Sequence, residues 1–128
     1  NICTNQGLMA LAACVHMASL GKHGMQRVGE LCWHKAHYAA DEIDKIEGFS
    51  VDRSAPFFKE FVVNCPSTVK DINETLLYER GIIGGYDIGQ DYDHRSNQML
   101  VCVTEQNSKA EIDLLVSTLK DIAEDTNS

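Results

Sequence analysis

No apolar run in this chain is long enough to cross a bilayer. The longest, Gly7 to Gly21 (GLMALAACVHMASLG), is interrupted by His16 and falls short of the roughly 20 residues a span needs. It also lacks a basic leader and a small-residue cleavage context, so no export route is expected. Basic residues are scarce: 11 Lys and Arg stand against 19 Asp and Glu, a formal net charge of -8. Such a surface repels polyphosphate, and the densest basic feature is only Lys22, His23 and Arg27, which argues against nucleic acid and anionic membrane as partners. Close cysteine pairs are absent as well. Cys3, Cys14, Cys32, Cys65 and Cys102 are widely spaced and odd in number, which fits thiols in a reducing compartment and excludes a zinc knuckle. A cytoplasmic location is therefore expected.

What is present reads as one folded domain. Apolar residues make up 44% and charged residues 23% of 128 residues, the balance of a soluble globular chain. The first residue is Asn1 rather than Met, so a piece of a longer chain is expected. Leu8, Leu11, Ala12, Val15 and Ala18 recur at helical steps after a capping Thr4 or Asn5, predicting a helix over 5–20 that ends at Gly21. Met25, Val28, Cys32, Ala36, Ala39, Ile43 and Ile46 form the stripe of a second helix, stopped by Gly48. Strands are expected at 49–51 and over 57–65, where Phe61, Val63 and Cys65 share one face and Phe58 and Val62 the other. An apolar middle on both faces points to a central position in the sheet.

Thr68 with Asp71 has capping-box spacing and opens a helix with stripe Val69, Ile72, Leu76 and Leu77, closed by Gly81. Ile82 and Ile83 read as a short extended piece. A strand over 99–104 and a last helix, opened by Ser108 with Glu111 and carrying Ile112, Leu115, Leu119 and Ile122, complete the order α-α-β-β-α-β-β-α. This is a compact layered domain whose strand order the pattern leaves open.

Three constellations could carry chemistry. Glu30, His34, His37 and Asp41 follow steps of four, three and four, which is how helical bundles present metal ligands. They sit roughly 200° from the apolar stripe, however, so a solvent- or partner-facing surface is expected and no metal site is assigned. Gly81, Gly84, Gly85 and Gly89 match neither a dinucleotide fingerprint nor a P-loop, because a helix precedes them and a loop with Asp87, Asp91 and Asp93 follows. They are turn and close-approach glycines, yet Tyr86, Asp87, Tyr92 and Asp93 beside them also suit a ligand or subunit contact. No nucleophilic triad stands out, and no lysine has the setting of a Schiff-base residue.

The segments NICTNQGLMALAACVHM, ELCWHKAHYAADEI, FFKEFVVNCP and ERGIIGGYDIG followed by LVCVTE resemble the C-terminal part of subunit 1 of the glycine decarboxylase P-protein family, over essentially the whole chain. The resemblance implies an α+β fold: the small C-terminal domain of a fold-type I pyridoxal-phosphate, aminotransferase-like enzyme, with a sheet covered by helices. Residues 1–20 would be a connecting helix and 21–128 the layered body of a single-domain fragment.

The activity implied for the assembled enzyme is glycine dehydrogenase (aminomethyl-transferring), an oxidoreductase of the glycine cleavage system. It decarboxylates glycine and passes the aminomethyl group to the lipoyl arm of H-protein. The implied partners are P-protein subunit 2, which holds the pyridoxal-phosphate lysine, and H-protein transiently; no cofactor and no catalytic residue are expected on this fragment. Matching the family's segments points to Asn1, Thr4, Asn5, Phe57, Phe58, Glu60, Gly84, Gly85, Tyr86, Asp87, Thr104 and Glu105 as residues facing a cleft or subunit 2. Two alternatives stay open. One is the C-terminal domain of another fold-type I pyridoxal-phosphate enzyme, for which a buried arginine such as Arg80 would speak. The other is a small acidic protein-binding domain.

Overall fold

The computed structural model describes residues 5–126. It opens on one long helix, α1 (Gln6–Ile43), broken in direction at Gly21, whose φ of 64° and ψ of -176° are non-helical. Gly21 thus ends the first helical segment as its position predicts, but no separate link follows: the helix resumes at once and runs through Gly24. The second segment stops at Ile43, earlier than expected: the Asp44 amide makes the last α-type bond, to Ala40 O, and the Lys45 and Ile46 amides then donate three residues back, to Glu42 O and Ile43 O; Gly48, at φ 84°, turns the chain into the sheet.

Four antiparallel strands, β1 (Ser50–Val51), β2 (Glu60–Asn64), β3 (Tyr86–Asp87) and β4 (Gln98–Cys102), lie in the order β1-β2-β4-β3. In the central pair Phe61 faces Val101 and Val63 faces Met99. All four are buried, and with Val51 and Val103 they meet Ala36, Ala39 and Ile43 of α1 in one cluster. The alternate residues Glu60, Val62, Asn64, Leu100 and Cys102 are partly or fully exposed, so helices cover only one face of the sheet. The expectation of a doubly apolar, central β2 is half right. It is central, but residues 57–59 precede the strand and Phe58 is exposed.

Helix α2 (Val69–Arg80) starts as its sequence dictates: Thr68 Oγ1 accepts from the Asp71 amide at 3.2 Å. Val69, Ile72 and Leu76 are buried, whereas Leu77 is exposed and leaves the predicted stripe. Ile82 and Ile83 are not a strand. The amides of Gly81 and Ile82 close α2 by donating to Leu77 O and Leu76 O, with Gly81 left-handed at φ 66°, so Ile82 belongs to the helix end and Ile83, beyond it, is exposed and pairs with no strand. The extended pairing comes later, at Tyr86–Asp87. Helix α3 (Lys109–Thr126) has a reciprocal capping box, Ser108 N to Glu111 Oε2 at 2.6 Å and Glu111 N to Ser108 Oγ at 3.2 Å. Ile112 and Leu119 are buried and Leu115 and Ile122 pack against the same core.

Candidate functional site

The glycine turn forms one wall of an open cleft of about 380 Å³. Ile82, Ile83, Gly84 and Gly85 stand on one side; Val101 and Cys102 of β4, Val103 just after it, and Ile112 and Leu115 of α3 stand on the other. The cleft exists because β3 pairs with β4 only through Tyr86–Leu100 and Asp87–Met99, after which the preceding chain diverges. Both central glycines are sterically required although neither has a positive φ. A Cβ on Gly84 would overlap the Asn73 Oδ1 atom and lie 2.9 Å from Leu76 Cδ1; one on Gly85 would overlap Met99 and lie 2.5 Å from the Leu100 carbonyl oxygen. Asn73 fixes the turn by donating from Nδ2 to Gly85 O at 2.8 Å, and its Oδ1 is buried without a partner among the described residues. A polar residue one turn after Val69, on the core stripe of α2, was the sequence signal for this role.

Tyr86 and Asp87 have local duties. Asp87 Oδ1 accepts from the Gly89 amide at 3.0 Å, capping a short 3-10 turn. Tyr86 donates to Asp91 Oδ2 at 2.5 Å, and that hydrogen bond holds the exposed phenol above its ordinary pKa.

A second group gathers at the far end of the β2–β4 pair. Thr104 and Glu105 lie in the turn into α3, where the Thr104 amide donates to Asn107 Oδ1 at 2.8 Å. Lys35 Nζ, from α1, donates to both Glu105 O and Asn107 O at 2.5 Å, and the buried Cys32 thiol donates to Glu105 Oε2 at 3.2 Å. Burial and that carboxylate push the Cys32 thiol up, while Gln106 and Cys32 together hold the Glu105 carboxyl down. Phe57 is half-buried, stacked on His37 with centroids 4.2 Å apart; His37 in turn stacks on Trp33 at 4.0 Å. Phe58 and Glu60 are exposed.

His37 is thus spent on packing. Asp41 pairs with Arg53 at 2.7 Å and Glu30 with Arg27 at 3.5 Å, so the four-residue helical set is not assembled as a ligand sphere. Among the described residues no group of three or more His, Cys, Asp or Glu is placed to hold a metal.

Asn5 caps the start of α1 without a side-chain hydrogen bond, at the end of the helix remote from both groups. Asn1 and Thr4 lie outside the described residues. The site candidates therefore fall into two clusters and one outlier. Sequence spacing had no access to the Lys35, Cys32 and Glu105 latch, whose partners are separated by 70 or more residues.

The sequence profile of the family described as Glycine cleavage system P-protein matches residues 1–119. The chain belongs to the glycine cleavage system P-protein family. Its similarity to curated members of that P-protein family is high. It is 50% identical over 121 residues to the "Probable glycine dehydrogenase (decarboxylating) subunit 1" of Thermomicrobium roseum, covering 94% of this chain and 27% of that protein. It is 51% identical over 119 residues to the protein of the same name from Bacillus cytotoxicus, covering 93% and 26%. The chain thus spans about a quarter of the length of these relatives.

Among solved structures, an inhibitor-bound glycine decarboxylase (P-protein) of the glycine cleavage system superimposes with a TM-score of 0.84 at 28% identity, over 95% of this chain and 27% of that one. A phosphoserine aminotransferase from Cytophaga hutchinsonii matches with a TM-score of 0.60 at 20% identity, over 83% and 28%, which shows the shared fold alone. The α+β architecture of a fold-type I pyridoxal-phosphate enzyme, expected from the resemblance, holds.

Proposed function

We propose that this chain is a wall of a glycine-decarboxylating P-protein, contributing surface and shape to a reaction whose reactive centre lies on another polypeptide, subunit 2. The assembled enzyme would decarboxylate glycine and transfer the aminomethyl group to the lipoyl arm of H-protein. What carries the reading is the half-open glycine cleft of a chain that is about 50% identical to proteins named as subunit 1. Such a cleft has one finished side, which another body can complete.

The lysines do not fit pyridoxal phosphate. A Schiff-base lysine needs a free, desolvated amine of lowered pKa. Lys35 is committed to two carbonyls; Lys45, Lys70, Lys109 and Lys120 sit in exposed pairs with carboxylates, which raise Lys45 and Lys109 rather than lower them. Lys22 is exposed on α1, and Lys59 is only half-buried, between the exposed Phe58 and Glu60, so neither amine is desolvated. The cofactor would accordingly sit on subunit 2.

Arg80 is 47% exposed and pairs with Asp121 at 3.3 Å. The other fold-type I reading asked for a buried arginine here, so this geometry weighs against it. A cytoplasmic setting is supported by Cys14, Cys32, Cys65 and Cys102, which are all free thiols. No helix among the described residues is long and apolar enough to cross a membrane.

The test uses the full-length parent chain, its companion subunit and lipoylated H-protein, and follows exchange of labelled carbon dioxide into glycine. Exchange that needs both chains is the expected result. Exchange by the parent chain without its companion, or a pyridoxal absorbance reducible onto this chain, would overturn the assignment.

A further inference from the structure

The first segment of α1 is the least charged and most exposed part of the molecule. From Gln6 to Gly21 it contains no Asp, Glu, Lys or Arg, in a chain with 11 basic and 19 acidic residues. None of its side chains joins the hydrophobic core, which begins at Cys32 and Ala36. After Gln6, its large side chains lie on two sides, all of them apolar except His16. At about 100° per residue, Leu8, Leu11 and Val15 fall within about 60° of one another, while Met9, His16, Met17 and Leu20 centre roughly 150° away. Leu8, Leu11 and Val15 are 62%, 60% and 58% exposed, and Met9 and Met17 are 58% and 48% exposed. One contacting surface covers a helical stripe about 100° wide, so two bodies are needed.

We propose that the Met9, His16, Met17 and Leu20 face docks on the companion subunit, while the Leu8, Leu11 and Val15 stripe is covered by the parent polypeptide. This rests on the subunit reading above and says where on the chain the partner sits. The relatives are roughly three and a half times the length of this chain, which supplies a same-chain body for one face. The Leu and Val stripe has the composition of a permanent core. The other face carries the methionines, which are enriched at interfaces between chains and reshape to fit a partner, and it lacks the charges that interface centres exclude. Its neutrality selects an apolar, uncharged surface on the partner.

The experiment measures association of full-length parent chain and companion subunit by size exclusion with light scattering and a titration for Kd. The wild type is compared with Met9→Glu/Met17→Glu, with Met9→Leu/Met17→Leu and with Leu11→Glu. The glutamate pair is expected to leave the parent folded, by far-UV circular dichroism and thermal midpoint, and to weaken association on the order of 100-fold. The leucine pair is expected to bind as the wild type does, and Leu11→Glu to destabilise the parent itself. Unchanged association of the glutamate pair overturns the proposal, as does unfolding of that variant before any partner is added, since the face would then lie inside the parent. A wild-type parent that forms no complex at any concentration removes the subunit reading instead, and this inference with it.

Discussion

Replacing Gly85 with alanine tests whether the cleft is set by steric fit. The added methyl would overlap Met99, a side chain with no exposure, and would press to 2.5 Å on the Leu100 carbonyl oxygen, which belongs to the central strand. Met99 can rotate away only by disturbing a filled core; the carbonyl can retreat only by straining β4. Overpacking of this kind costs about 1–3 kcal/mol, and one of the two obstacles here is main chain, so the upper end applies. The lost freedom of the unfolded glycine returns about 0.4–1 kcal/mol, leaving a net loss of about 2 kcal/mol.

With a urea dependence of about 1–3 kcal/mol per molar, the midpoint of unfolding should fall by about 1 M. Gly29→Ala is the control. Nothing lies within 4 Å of a Cβ there, and the position is in a helix, so that variant should gain about 0.5–1 kcal/mol. Met99→Ala alone empties a fully buried position and should cost about 2–5 kcal/mol, and adding Gly85→Ala to that background should still lower stability, because the Leu100 carbonyl remains in the way of the methyl. A midpoint for Gly85→Ala equal to that of the wild type would refute the steric account of the cleft.

Thr68→Ala removes the α2 cap and should cost about 0.5–2 kcal/mol in urea unfolding, with no change in the slope. Leu119→Ala empties a fully buried position and should cost about 2–5 kcal/mol, read as a lowered thermal midpoint. The Glu111 carboxyl, held below its ordinary pKa by the Ser108 amide, stabilises the fold at neutral pH; that contribution is lost as pH falls from about 4.3 through the lower folded value. Glu111→Gln should therefore flatten the acid limb of a stability-against-pH curve, and an unchanged limb would sink the claim. In thiol labelling, exposed Cys14 should react well before Cys65, whose thiol burial pushes up to about 12; equal rates would contradict that packing.

What sequence could supply depended on how local the cause was. The caps at Thr68 and Ser108 involve residues three apart, and both formed as their spacing dictates. The β2 and β4 cores were legible from alternation, because Phe61, Val63, Met99 and Val101 need only a buried face. Strand ends were not, since β3 is defined by its pairing with Leu100 and Met99 rather than by its own two residues. Ile82 and Ile83 looked extended because β-branched residues favour strands, but the hydrogen bonds that end α2 claimed that stretch first. At the candidate site, Gly84 and Gly85 were visible as special, whereas the reason, Asn73 and Met99 pressed against them, required the tertiary fold. The Lys35 latch on Glu105 and Asn107 left no mark in the spacing at all.

The two rim strands of the sheet are each only two residues long, and the outer ones carry or adjoin Asp52 and Asp87. A neighbour seeking to extend the sheet finds almost no free ladder to copy and meets negative charge where it would begin, which is how natural edges resist amyloid-like stacking. Should this chain precipitate when produced alone, the deposit is expected to retain helical circular dichroism and to bind little thioflavin.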